Sequence, residues 1–186
     1  MAERRRRVRW DAEANRARIV AAAREVFAER GPQAPFSAVA ARAGVANATL
    51  YRHFANAQEL CTAVFSTRLE ESRVFLTGLE EEEDPWRAFA RFVEWIAETP
   101  DAALMDVIMD DQGQPPEIVA RREEVRAQVR RLCARAEAAG SVRPGLGPRD
   151  IDVVIYALTR VGVEPKIGAE DRRRFTSLVL DGLRRH

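Results

Sequence analysis

The side chains best suited to chemistry lie in one short run near the N-terminus of the sequence. This run contains Asn47, Thr49, Tyr51, Arg52 and His53. Hydroxyl, imidazole and guanidinium groups donate hydrogen bonds to phosphate oxygens, and amide and guanidinium groups also reach base edges. For Tyr51 and His53, packing against a neighbouring helix is the alternative. The run predicts contact with a nucleic acid.

Signs of catalysis or metal binding are weak elsewhere. The two histidines, His53 and His186, belong to no metal-binding spacing, and no glycine-lysine phosphate loop is present. Cys61 and Cys133 are far apart and have no histidine nearby in the sequence, so we expect them to pack as small apolar side chains in a reducing compartment. We therefore expect no enzyme activity, no metal and no cofactor.

Charge is distributed unevenly along the chain. Residues 1–55 carry 11 arginines and 5 acids (11 − 5 = +6), and residues 56–186 carry 19 basic and 24 acidic residues (19 − 24 = −5). A basic front indicates a polyanionic partner. No apolar run approaches the roughly 18 residues of a membrane span, and no signal peptide is evident. We expect a cytoplasmic protein without a membrane partner.

The sequence predicts that these residues lie on helices. Glycine and proline divide the sequence into segments rich in Ala, Arg, Glu and Leu, and alternating β-branched runs are absent, so we predict an all-α fold. The predicted helices span about 11–30, 36–43, 47–53, 56–78, 86–98, a short stretch after 100, 117–139, 149–161 and 169–184.

The second and third helices form a helix-turn-helix in this prediction. Gly44 supplies the positive φ of a tight turn between them. Leu50 and Phe54, four residues apart, face inward, which leaves the polar side chains of the third helix for another partner. In a helix-turn-helix the second of the two helices enters the major groove of DNA.

Residues 14–61 resemble the DNA-binding domain of the TetR family of bacterial regulators. The resemblance lies in the stretch Phe27-Ala28-Glu29-Arg30-Gly31, in Val39-Ala40 and Ala43-Gly44-Val45, in Thr49-Leu50-Tyr51-Arg52-His53-Phe54 and in Glu59-Leu60. It departs from the family at Ala46, where a serine or threonine commonly caps the recognition helix, and at Ala57, where a cation often holds a phosphate.

The resemblance implies three segments: a basic N-terminal arm over 1–10, a three-helix DNA-binding domain over 11–61, and a helical ligand-binding and dimerisation domain over 62–186. It implies a homodimer that binds a palindromic stretch of double-stranded DNA as a repressor and is released by a small molecule. The predicted DNA-contacting residues are Arg4, Arg5, Arg6, Arg7, Ser37, Ala46, Asn47, Ala48, Thr49, Tyr51, Arg52 and His53.

Two further sets of residues are predicted in the C-terminal domain, with core packing as the alternative for each. The cavity candidates are Phe65, Leu69, Trp86, Phe89, Phe92, Val93, Ile96, Leu104, Met105, Ile108 and Met109. The dimer candidates are Val154, Leu158, Val161, Phe175, Leu178, Val179 and Leu183. The alternative function is a helical small-molecule-binding or adaptor protein whose helix-turn-helix no longer binds DNA.

Overall fold

The computed structural model describes residues 2–31, 33–98, 115–164 and 166–185. Within these ranges every regular element longer than an isolated bridge is an α-helix. The helices are α1 (Ala2–Arg30), α2 (Phe36–Ala43), α3 (Asn47–His53), α4 (Ala57–Glu80), α5 (Pro85–Ala97), α6 (Pro116–Ala138), α7 (Pro148–Val163) and α8 (Ala169–Leu183). The all-α prediction is confirmed. The predicted short helix after residue 100 lies outside the described residues.

The first helix begins earlier than predicted. Asp11 suits an N-cap, but the backbone of α1 is helical from Ala2. Ala, Glu and Arg, which dominate residues 2–7, are good helix formers, so the helix extends through the segment predicted as an arm. It ends where predicted, at Arg30, because Gly31 adopts a positive φ of 80°.

The corner between α2 and α3 forms as the sequence predicts. Gly44 has φ 64° and ψ 37°, a left-handed conformation that glycine adopts without steric cost. Its amide donates to the Ala41 carbonyl at 3.2 Å, and the Val45 amide donates to the Ala40 carbonyl at 3.0 Å. These paired hydrogen bonds satisfy the last carbonyls of α2 and turn the chain directly into α3.

The start of α4 is capped by side chains. Asn56 accepts a hydrogen bond from the Glu59 amide at 2.9 Å, and the Glu59 carboxylate accepts one from the Ala55 amide at 2.8 Å. The helix then continues for 24 residues. It therefore links the helix-turn-helix to the C-terminal half of the chain.

Two hydrophobic cores pack along this helix. The N-terminal core includes Ile19, Val26, Phe27, Val39, Leu50, Phe54, Leu60, Val64, Phe65, Leu69 and Ile118. The C-terminal core includes Leu76, Leu79, Phe89, Phe92, Val93, Leu132, Ile151, Leu158 and Leu183. Val125 of α6 packs against both. The N-terminal core thus extends past residue 61 and takes a side chain from α6.

The end of the chain is fastened to the loop between α6 and α7. Val142 and Arg184 form an isolated antiparallel bridge, with the Arg143 amide donating to the Leu183 carbonyl at 2.9 Å. This contact holds α8 against the C-terminal core. Among the described helices, none is both long and apolar enough to cross a membrane.

Candidate nucleic-acid interface and cavity

The recognition helix α3 buries one face and exposes the other. Leu50 and the following Phe54 are fully buried. Each such side chain contributes roughly 1.5–3 kcal/mol on burial, which anchors the short helix. On the opposite face, Asn47 and Arg52 are exposed, and Tyr51 retains 57% of its accessible surface.

The remaining predicted contact residues of this region also reach the surface. Ala46, Ala48 and Ser37 are exposed, and Thr49 and His53 are half-buried. The rings of Phe36 and Tyr51 lie 5.1 Å apart, which places the first turn of α2 beside the middle of α3. The structure therefore brings Ser37 and the polar side chains of α3 into one region. Their contact with DNA stays a prediction.

The start of α3 has no side-chain cap. Ala46 occupies the N-cap position with φ −67° and ψ 146°, and its side chain offers no acceptor. Asn47 is already the first helical residue, so it does not replace the missing cap. Ala57 occupies the first position of α4.

An ion-pair cluster fixes α2 against α1. The Arg42 guanidinium donates to Glu25 at 2.8 Å and to both carboxylate oxygens of Glu29, at 2.8 and 2.9 Å. The hydrogen bonds from Arg42 lower the pKa of Glu29. Arg42 therefore acts as a brace within the domain, on the side of α2 that faces α1.

The predicted arginines Arg4, Arg5, Arg6 and Arg7 lie in the first turns of α1. Trp10, which follows them, retains 67% of its accessible surface. The backbone of this segment is helical, so α1 begins before residue 11, where the DNA-binding domain was predicted to start. A contact between these arginines and DNA remains a prediction.

A cavity of about 650 Å³ lies between α4, α5, α6 and α7. Of the predicted lining residues, the structure brings together Phe65, Leu69, Phe89, Phe92 and Ile96. A volume of this size suits a small organic molecule. The predicted Leu104, Met105, Ile108 and Met109 lie outside the described residues.

Two of the predicted lining residues, Trp86 and Val93, are not part of the described wall of this cavity. Val93 is 3% exposed and packs into the C-terminal core. Trp86 lies at the start of α5, where its ring contacts Phe89 at 5.9 Å between centroids and Arg184 covers it at 5.2 Å. Both residues lie on the apolar side of α5, and only some of the residues on that side line the cavity.

The cavity wall also contains charged, polar and aromatic residues that the sequence did not point to. Arg68 and Ser72 of α4, Trp95 of α5, and Arg122 and Arg126 of α6 all line it. A signal for Arg122 was present, because it interrupts an apolar stripe of α6. The stripe is Ile118, Arg122, Val125, Val129, Leu132 and Ala136.

One of these residues connects the cavity to the DNA-binding domain. The Arg68 guanidinium lies 3.7 Å from the centroid of the Trp95 ring and 3.5 Å from Glu71. Glu71 in turn accepts a hydrogen bond at 2.7 Å from Arg24 of α1. Side chains in contact thus run from the cavity wall to the first helix.

The two cysteines are buried to different extents. Cys133 lines the cavity, and burial raises the pKa of its thiol to about 11. Burial also raises the pKa of Cys61, which packs against the N-terminal core. Both thiols are therefore protonated at neutral pH, in agreement with the prediction that they act as packed apolar side chains.

The dimer candidates divide between core and surface. Leu158 and Leu183 are 2% and 6% exposed in the C-terminal core, so these two are corrected to core residues. Val154, Val161, Phe175 and Val179 are half-buried. Leu178 is 60% exposed, and so is Val153, which belongs to the same apolar stripe of α7 as Val154 and Leu158. Burial within one chain thus accounts for only part of the two stripes.

Comparison with known proteins assigns both halves of the chain. Residues 19–64 match the family described as bacterial regulatory proteins, tetR family. Residues 84–185 match the family described as transcriptional regulator SbtR-like, C-terminal domain. No match was found among curated proteins.

Solved structures resemble nearly the whole chain. A TetR transcription regulatory protein from Mycobacterium vanbaalenii is 28% identical, with 96% of this chain and 99% of that chain covered and a TM-score of 0.62. The TetR transcriptional regulator SCO0520 from Streptomyces coelicolor is 28% identical over 91% and 98% of the two chains, with a TM-score of 0.63.

A TetR family regulator from Agrobacterium tumefaciens is 16% identical over 94% and 100% of the chains with a TM-score of 0.71, a likeness of fold alone. The two family matches together span both the helix-turn-helix and the helical domain that encloses the cavity. On this evidence, the chain belongs to the TetR family of bacterial transcriptional regulators.

Proposed function

We propose that this regulator is a repressor that binds a palindromic operator as a homodimer and leaves it when a small molecule fills the cavity. The observation that carries the proposal is the division of α3. Leu50 and Phe54 anchor the helix, while Asn47, Tyr51 and Arg52 remain exposed. An anchored helix with an exposed polar face is suited to a major groove.

A symmetric operator requires two copies of the chain, and exposed apolar side chains on the last two helices support such pairing. Val153 of α7 and Leu178 of α8 each retain 60% of their accessible surface. Two-fold pairing would set the two recognition helices about 34–36 Å apart, one turn of DNA, or a comparable distance.

The contact route through α4 supports release by a ligand. A molecule that displaces Arg68 or Trp95 in the cavity would alter the contact between Arg68 and Glu71. Glu71 also accepts a hydrogen bond from Arg24 of α1, so the change would reach the first helix. The ligand must bind the DNA-free state more tightly than the DNA-bound state, typically by 1–3 kcal/mol.

A selection from random duplexes tests the DNA-binding part. We expect an enriched palindrome, and we expect Arg52→Ala to weaken binding to it about tenfold or more, measured by fluorescence anisotropy. Arg87→Ala is the matched control, because Arg87 is an exposed arginine on α5 with a side chain 69% accessible. Transcription in vitro from a promoter that carries the selected sequence would then show whether occupancy represses.

A helical adaptor that binds small molecules without binding DNA is the second candidate. Ala46 leaves α3 without a side-chain cap, and Ala57 offers no cation for a phosphate. The same selection separates the two functions, because an adaptor would enrich no duplex sequence.

A further inference from the structure

The inner wall of the cavity is aromatic and well fixed. Phe65, Phe89, Phe92 and Trp95 line it. The Trp95 ring stacks on Phe75 with centroids 4.6 Å apart and planes 10° from parallel. Arg68 lies over the same ring at 3.7 Å. A wall of this kind favours a flat or apolar body in the ligand.

Arg122 brings a positive charge to this apolar space. It occupies a core-facing position of α6, between Ile118 and Val125, and is only 6% exposed, yet it lines the cavity. An arginine stays protonated in proteins, so its charge is carried inside. Burial and the neighbouring charge of Arg126 both lower the pKa of Arg122, whereas the charge of Glu123 raises it, so a second cation and one acid act on this group.

The described acidic side chains of the cavity lie towards solvent. Glu123, Glu137 and Asp152 line it and are exposed. The Glu123 carboxylate also binds Arg130 at 2.7 Å, and both of these side chains are more than half accessible. Among these described residues, Arg122 is therefore the buried charge, and the three acids lie at the rim together with Arg130.

We infer that the cavity takes an amphipathic organic anion, with its apolar body against the aromatic wall and its anionic group at Arg122 and Arg126. The planar guanidinium group pairs with an anionic oxygen pair through two parallel hydrogen bonds, which favours a carboxylate, sulfonate or phosphate over an uncharged polar group. This inference rests on the proposed function, since it specifies the effector class of the same cavity.

Two fluorescent probes that differ only by a sulfonate group test the inference. 8-Anilinonaphthalene-1-sulfonate and N-phenyl-1-naphthylamine share one aromatic skeleton, and only the first carries a sulfonate. In titrations of the full chain without DNA, we expect the sulfonate to bind about tenfold more tightly or better. The preference should persist in about 0.5 M salt, which screens exposed arginines but not a buried site.

Substitution of Arg122 assigns the preference to the cavity. Arg122→Met should weaken binding of the sulfonate about tenfold and leave binding of the uncharged probe unchanged. Arg122→Lys should retain most of the preference because it keeps the charge. Arg131→Met is the control, since Arg131 lies on the same helix with a side chain 63% accessible and outside the cavity.

Equal binding of the two probes by the unsubstituted protein would overturn the inference, and so would an unchanged preference in a folded Arg122→Met protein. If that variant does not fold, the comparison of the probes and the Arg122→Lys protein decide. DNA release is measured separately. Arg122-dependent binding without release of the selected duplex would leave the anion site standing and contradict the proposed effector role. If the uncharged probe bound as tightly as the sulfonate and released the duplex, the anion site would be contradicted and the proposed effector role of the cavity would stand.

Discussion

Arg42 determines how the first helix of the helix-turn-helix is held. Its guanidinium joins Glu25 and Glu29 of α1, and the pKa of Glu29 is lowered by the hydrogen bonds it accepts. A carboxyl group whose pKa is lower in the folded state stabilises the fold above its unfolded pKa of about 4.3. That stability is lost as the pH falls through the folded pKa.

We therefore expect Glu29→Gln to lower the urea midpoint at pH 7 and to leave it nearly unchanged at a pH below the folded pKa of Glu29. Urea unfolding at both pH values measures this difference. Glu94→Gln is the control, because Glu94 is an exposed acid on α5 and Arg42 binds Glu25 and Glu29 of α1 instead. The same loss at both pH values would show that packing of the side chain, rather than its charge, makes the contribution.

Cys133 offers a chemical report on the cavity. Its thiol has a pKa of about 11 and lines the cavity, whereas Cys61 packs against the N-terminal core. We expect both thiols to react slowly with iodoacetamide at neutral pH, and 8-anilinonaphthalene-1-sulfonate to slow the reaction of Cys133 only. Mass spectrometry of the alkylated peptides measures the two rates. Equal protection of both cysteines would contradict binding in the cavity.

Among the helices, α3 carries a correctable weakness. Ala46 has the extended backbone of an N-cap residue but no side-chain acceptor. Ala46→Ser supplies that acceptor, so we expect the free energy of unfolding to rise by about 1 kcal/mol. Ala48→Ser is the control, because it introduces the same hydroxyl two residues later, inside the helix, where serine is slightly unfavourable. Equal urea midpoints for the two variants would contradict this account.

How well the bounds of each helix could be predicted depended on the start and stop signals in its sequence, such as proline, glycine and N-cap residues. The bounds of α2 and α3 were predicted because Pro35, Gly44 and the four-residue spacing of Leu50 and Phe54 act locally. The start of α1 was not, because a suitable cap at Asp11 does not prevent a helix from continuing through good helix formers.

Positions within the C-terminal domain were harder to predict, because an apolar stripe does not reveal its partner. Val93 and Phe92 are adjacent and both apolar, yet only Phe92 lines the cavity. Leu158 packs in the core and Leu178 faces solvent, although both belong to apolar stripes. Tertiary packing decides between these roles. Arg122 was missed because it is charged, and charged residues are rarely buried, so its position in an apolar stripe did not predict a place in the cavity wall.

For the whole molecule, the contacts of Glu71 predict how the two halves communicate. Glu71→Gln weakens the links to Arg68 and Arg24 without entering α3 or the cavity wall. We expect affinity for DNA alone and for ligand alone to change little, and the loss of DNA affinity on adding a releasing compound to become smaller.

Anisotropy titrations of the selected duplex with and without that compound measure the coupling. Glu70→Gln is the matched control, because the neighbouring Glu70 binds the exposed Arg73 of its own helix at 2.6 Å. The same reduction in both variants would show that the Glu71 contacts are not specific carriers of the response.

The exposed apolar surface of α8 predicts how two copies of the chain assemble. Leu178→Arg places a charge on the exposed apolar surface of α8, so we expect the protein to become monomeric and to bind the palindrome more weakly, with its fold retained. Val74→Arg is the control, since Val74 of α4 is 57% exposed. Light scattering after size-exclusion chromatography measures the mass, and a dimeric Leu178→Arg protein would place the interface elsewhere.

The N-terminal core that includes Phe65, Leu69 and Ile118 has a practical consequence for engineering. A chimaeric regulator is naturally joined at the end of the matched DNA-binding motif, near residue 64. A cut there would separate Phe65 and Leu69 from the core they complete and would remove the cover provided by Ile118. A DNA-binding domain transferred from this protein should therefore include α4 through Leu69. The regulator that receives it should supply an apolar side chain at the place where Ile118 packs.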